Sequence, residues 1–172
     1  FCLVSLGSSF VQAEPVSTEF DLAISAVNKS LSSLQGKENG SIIIEYDDGS
    51  LPENSGFGKR MQSYKFKNAN VSINLGDMKY KAENATFTLD KRMLKIVIHS
   101  GVSEISGPQV NEHQISSIQI NLLKPDSNIL SSNEFLKKFP SLESFSKATA
   151  AIVYKKPNVL PVHVNAKVLA VN

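Results

Sequence analysis

The chain has 172 residues, of which 41% are hydrophobic and 20% charged, and its formal net charge is +2. That length can bury a substantial core without a disulfide or a metal. The near-neutral balance excludes bulk attraction to nucleic acid, and a single cysteine, Cys2, excludes an internal disulfide framework.

Residues 1–13 (FCLVSLGSSFVQA) carry no charge. Val11 and Ala13 stand three and one residues before a cut ahead of Glu14-Pro15, which is the pattern of a signal peptide ending in a small-residue cleavage site. The stretch falls short of the ~20 apolar residues that span a bilayer. The expected organisation is therefore a truncated signal peptide over 1–13 and one β-rich domain over 14–172, exported to the periplasm or secreted, with no transmembrane span in the mature chain.

Charge is unevenly spread. Residues 14–53 hold eight acidic and two basic side chains, whereas 56–95 hold nine basic and three acidic ones. The entry is acidic and the middle basic.

Phe20, Ile24, Val27, Leu31 and Leu34 recur at spacings of four and three, which predicts an amphipathic helix over 17–35 that Gly36 ends. From residue 41 the period is two. Strands are expected over 41–46, 63–75, 78–89, 93–100, 115–123, 150–154 and 160–171, with turns at 47–50, Gly76-Asp77, 90–92 and 156–158. The inward set changes parity between Phe66 and Val71 and again between Ala82 and Ala85, which predicts a bulge near Asn68 and a second irregularity in the next strand. Residues 133–148 read as a helix broken at Pro140. Short links between strands favour antiparallel pairing. The expected class is α+β: a mainly antiparallel sheet, open barrel or jellyroll of about seven strands, with an N-terminal helix and a late helical insertion.

The residues carry no strong catalytic or metal signature. His99, His113 and His163 lack the pair spacing of a zinc site and read as partly exposed. Ser144 and Lys147 form S-x-x-K without its partner motifs. Glu45, Asp47, Asp48 and Glu53 surround a turn, but not with EF-hand spacing. Gly56-Phe57-Gly58-Lys59 lacks the P-loop pattern. Neither a catalytic residue nor a cofactor is expected.

The basic middle is more informative. Lys65 and Lys67 alternate with Tyr64 and Phe66, and Lys79 and Lys81 with Met78 and Tyr80. A hairpin through Gly76-Asp77 puts the four lysines on one face and the aromatics on the other. Such a face draws anionic lipid or glycan; it also serves simply to keep an edge solvated.

Residues 80–106 (YKAENATFTLDKRMLKIVIHSGVSEIS) resemble one hairpin of the OstA-like periplasmic lipopolysaccharide-transport family, through Ala82, Ala85, Phe87, Leu89, Leu94, Ile96, Gly101 and Val102. The resemblance implies a β-jellyroll holding acyl chains inside while basic residues meet headgroup phosphates. The leading expectation is an exported, non-enzymatic carrier for an amphiphilic or anionic envelope ligand. Tyr64, Phe66, Tyr80, Phe87, Ile96 and Ile98 would line the acyl site, and Lys65, Lys67, Lys79 and Lys81 would meet the charge. The alternative is an interaction module of an envelope assembly that pairs through a strand edge with a protein partner.

Overall fold

Alternating apolar and polar residues build almost everything in the computed structural model, which describes residues 15–47, 53–54, 63–90, 95–99, 105–123 and 141–172. Among these are nine strands: β1 (Pro15–Val27), β2 (Asn39–Asp47), β3 (Glu53–Asn54), β4 (Ser63–Leu75), β5 (Met78–Asp90), β6 (Lys95–His99), β7 (Gln114–Leu123), β8 (Lys147–Lys155) and β9 (Val162–Val171). Every pairing between them is antiparallel.

The sheet order is β2-β1-β9-β8-β7-β6-β5-β4-β3, and β2 also pairs with β4. Eight strands therefore form a nearly closed barrel, with β3 attached to β4 through Glu53↔Lys65 and Asn54↔Tyr64. Sequence neighbours are spatial neighbours around the ring, which is the up-and-down order rather than the crossed order of a jellyroll. Following the paired residues once round the ring, the strands are staggered by on the order of a dozen residues, the tilt that gives a barrel an interior.

Residues 17–35 are not a helix. Thr18, Phe20 and Leu22 alternate inward from β1, opposite Ile44, Ile42 and Gly40 of β2. A register shift between Ile24 and Ala26 then adds a residue to β1 and breaks the alternation, so Ile24 and Val27 fall at helix-like spacing although they sit on a bulged strand. Leu31 and Leu34 belong to the loop that follows. Asn28 starts that loop by accepting a hydrogen bond from the Ser30 N–H (2.9 Å), and Ser32–Leu34 make a single 3-10 turn.

The late helix is corrected in the same way. Of 133–148, residues 133–140 lie outside the described residues. Leu142–Ser144 form one 3-10 turn, Phe145 is extended, and Lys147 and Ala148 open β8. The alternation of Ala148, Ala150, Ile152 and Tyr154 toward the core draws these residues into a strand. The seven expected strands are present, and β1 and the two-residue β3 are additional. The proposed signal peptide and the turn residues 48–50 and 91–92 also lie outside the described residues.

The inward residues form one core cluster. One end of the barrel is stoppered by the chain itself. Leu31 and Leu34 are fully buried there, with Ile105 and Val110 from the segment before β7. The Asn111 amide joins the two segments, donating to the Ser30 carbonyl (2.7 Å) and to Ser32 Oγ (3.2 Å). Lys37 pairs with Asp77 in the β4–β5 turn, and Lys156 with Glu112 beside the β8–β9 turn. The Ser106 main chain exchanges hydrogen bonds with Lys81 (2.9 and 2.7 Å), which extends the sheet where β6 has ended.

Candidate functional site: barrel interior and basic hairpin

Gly76 takes φ 62 at the first central position of the two-residue β4–β5 turn, a place that favours glycine. The resulting hairpin separates lysines from aromatics. Lys67, Lys79 and Lys81 are exposed outside, and Phe66 and Tyr80 are buried inside. Lys65 pairs with Thr88, Tyr64 with Leu89, Phe87 with Ile98 and Ile96 with Ile120. The side chains of Lys65, Tyr64, Phe87 and Ile96 lie outside the described set.

The lysines share a face without forming one cluster. Lys81 pairs with Ser72, five residues along β4 from Lys67, which is roughly 16 Å at strand spacing. Lys81 also lines an open polar cleft of about 350 Å³ with Glu45, Asn70, Glu83 and Asn84. A neighbouring cleft of about 380 Å³ shares Glu45 and Asn70 and adds Ser17, Asp47 and Asn68. The outer wall here is mixed in charge, so its lysines sit among carboxylates and amides.

Inside, Tyr80 of β5 and Tyr154 of β8 meet across the barrel although their strands are not neighbours. Their rings pack edge to face at 6.3 Å. The Tyr154 hydroxyl donates to the Tyr80 hydroxyl (3.1 Å), which in turn donates to Met78 Sδ (3.5 Å). Burial pushes both phenols upward. For Tyr154 the bond and the charge interaction with Tyr80 push further, while for Tyr80 the bond offsets part of the rise. Gly107 lies against Tyr80, and a Cβ there would meet Tyr80 Cδ1 at 2.3 Å.

Phe20, Ile42, Ile44, Ile73, Leu75, Ile98, Ile118, Ile120, Leu122 and Tyr154 are 0% exposed, so no water-sized space opens against them. Tyr80 and Ile98, expected to line an acyl site, lie in this filled region. Phe66 stands further from the stopper and packs edge to face on Tyr46 at 5.1 Å. Phe145 and Ala148 keep the most exposure in that part of the core.

His113 is buried, not exposed as the sequence suggested. Asn111 (φ 49) and Glu112 (φ 64) form a tight left-handed turn that places Val110 opposite His113. Its Nδ1 lies 2.8 Å from the Asn111 carbonyl, and its Nε2 is buried without a partner. His163 is exposed on β9, and His99 ends β6. Ser144 and Lys147 fall on a 3-10 turn and a strand rather than on one helix. Among the described residues no three His, Cys, Asp or Glu side chains converge to hold a metal, and no helix is long and apolar enough to cross a membrane.

Sequence reasoning missed the stopper and the tyrosine pair. Asn28-Lys29-Ser30 was the available signal for the first, since an Asx turn interrupts a helix. The second had none, because residues 80 and 154 meet only through the closure of the barrel.

The class the fold defines is an eight-stranded, mainly antiparallel β-barrel closed at one end by its own loops. No family model matches the chain, and no curated protein or solved structure matches it significantly.

Proposed function

We propose that this chain is an exported, non-enzymatic carrier for an amphiphilic, anionic ligand of the cell envelope. The observation that carries the reading is the stoppered barrel: one end is filled by Leu31, Leu34 and the Tyr80–Tyr154 pair, and the described inner wall is mainly apolar, with Thr18 an exception. Eight-stranded barrels either fill their interior or hold one small ligand at the mouth. On this reading the acyl part enters from the end away from the stopper, toward Phe66, Tyr46 and Ala148, by parting the side chains that pack there in the unliganded barrel. The headgroup remains near Lys65 and Lys67, while Lys79 and Lys81 lie nearer the stopper. The signal-like residues 1–13 and the hairpin resemblance support export and a lipid ligand.

The strand-edge alternative is less supported, because each of the eight barrel strands pairs on both sides over part of its length, although Pro15–Thr18 of β1 have a described strand partner on one side only.

The test is native mass spectrometry of the protein purified without detergent from a membrane-containing lysate. The expected result is a discrete adduct of lipid mass, weakened when Lys65 and Lys67 are replaced by Gln. A clean unliganded mass, from protein that also takes up no added lipid, would overturn the carrier reading.

A further inference from the structure

Val159 and Leu160 are 47% and 84% exposed, in the turn between β8 and β9 at the stoppered end. Isolated exposed leucines are ordinary. This pair differs in three respects. The two are adjacent at the tip of a hairpin, where polar residues usually sit. Pro157 and Pro161 flank them and restrict the backbone, while Asn158 holds φ 61 and the Val159 N–H donates to the Lys156 carbonyl (3.3 Å). The tip is thus a shaped turn mounted on the paired strands β8 and β9.

The third respect is charge. Lys155 and Lys156 precede the tip, and Lys156 is held by Glu112. Lys29 comes alongside through the chain: the Asn28 N–H donates to the His163 carbonyl (3.3 Å), placing the end of β1 next to the start of β9. Lys29 and Lys155 are both exposed. A rigid apolar tip beside solvated cations suits the interface of an anionic bilayer, where apolar side chains enter below the headgroups and lysines meet the phosphates.

We propose that the β8–β9 turn docks this protein on anionic lipid surfaces, with Leu160 and Val159 inserted and Lys29 and Lys155 contacting phosphate. The docking does not depend on a ligand inside the barrel.

The experiment is flotation of the protein with vesicles of phosphatidylcholine alone and of an equal mixture with phosphatidylglycerol. Binding is expected to the mixed vesicles. Leu160→Asp should weaken it by roughly tenfold or more with an unchanged thermal midpoint, and Lys29→Gln with Lys155→Gln should remove the preference for anionic lipid. Equal binding by the Leu160→Asp protein, or no binding by the parent, would overturn the proposal. So would a concentration-dependent dimer that Leu160→Asp abolishes, since the tip would then be a contact between copies of this chain.

Discussion

Ala69 of β4 and Ala85 of β5 stand opposite one another between two bulges that cancel. The extra residue on β4 lies between Phe66 and Ala69, and the extra residue on β5 between Ala82 and Ala85. Asn68 (φ 59) and Asn84 (φ 53) supply the left-handed backbone at each. One bulge alone would shift the pairing by a residue and leave the two strands out of step. Together they keep Phe66, Val71, Tyr80 and Ala82 all facing the core.

Asparagine tolerates that backbone and a β-branched residue does not. Asn68→Val should therefore destabilise the protein by about 1–2 kcal/mol, while Asn68→Gly stays within roughly 0.5 kcal/mol of the parent. Urea denaturation of the two variants checks this. Equal midpoints for both would show that the bulge does not fix the register.

The stopper predicts large effects at residues outside any strand. Leu34→Ala should cost about 2–5 kcal/mol, as for a core leucine. Gly107→Ala should cost about 1–3 kcal/mol, because its Cβ would collide with the Tyr80 ring. Thermal unfolding measures both, and surface-like losses would mean that the loop only rests on the barrel.

The tyrosine pair makes the barrel sensitive to alkali. Both folded-state pKa values lie above the ordinary 10.0, so the unfolded chain loses its phenolic protons first. Stability is intact below pH 10 and falls as pH rises past it. Phenolate absorbance from Tyr80 and Tyr154 should appear only with unfolding. A native circular dichroism spectrum with all four tyrosines ionised would contradict this. Tyr154→Phe should cost about 1 kcal/mol by leaving the Tyr80 oxygen without its donor.

The ion pairs act at the other end of the pH scale. The hydrogen bond from Lys37 holds Asp77 below 3.8, and that from Lys156 holds Glu112 below 4.5. A lowered carboxyl contributes stability above its unfolded pKa and loses it as pH falls through the folded value. Asp77→Asn should therefore lower the thermal midpoint slightly at neutral pH, and the difference should vanish in acid. A difference that persisted unchanged in acid would assign the effect to something other than charge.

The strands, their pairing sense and the β4–β5 bulges were legible because inward residues repeat every second position and parity breaks are visible in the letters themselves. Two segments misled for one reason. Phe20 to Leu34 mimics a helical stripe because a bulged strand is followed by a loop whose leucines plug the barrel. Leu142 and Phe145 mimic one because a short turn runs directly into β8. The lysine face was legible in part: alternation says which side Lys67, Lys79 and Lys81 take, but not that Glu45 and Glu83 share a cleft with Lys81. That proximity is created by β2 pairing with β4, a contact between segments that local patterns do not connect.

The barrel is closed by β1 against β9, with Val27 beside Val164 and Phe20 beside Val171. The Glu19 and Asn172 main chains fasten this seam by exchanging hydrogen bonds (2.8 and 2.9 Å). During synthesis, the first strand must wait for the ninth before its second edge is covered. Closure of the ring accordingly rests on a contact far apart in sequence, which slows that step and leaves two sticky edges exposed in the interim. A chaperone holding that nascent edge would protect the molecule at its most vulnerable stage, and joining the two strands with a short linker in a circular permutant would shorten the wait.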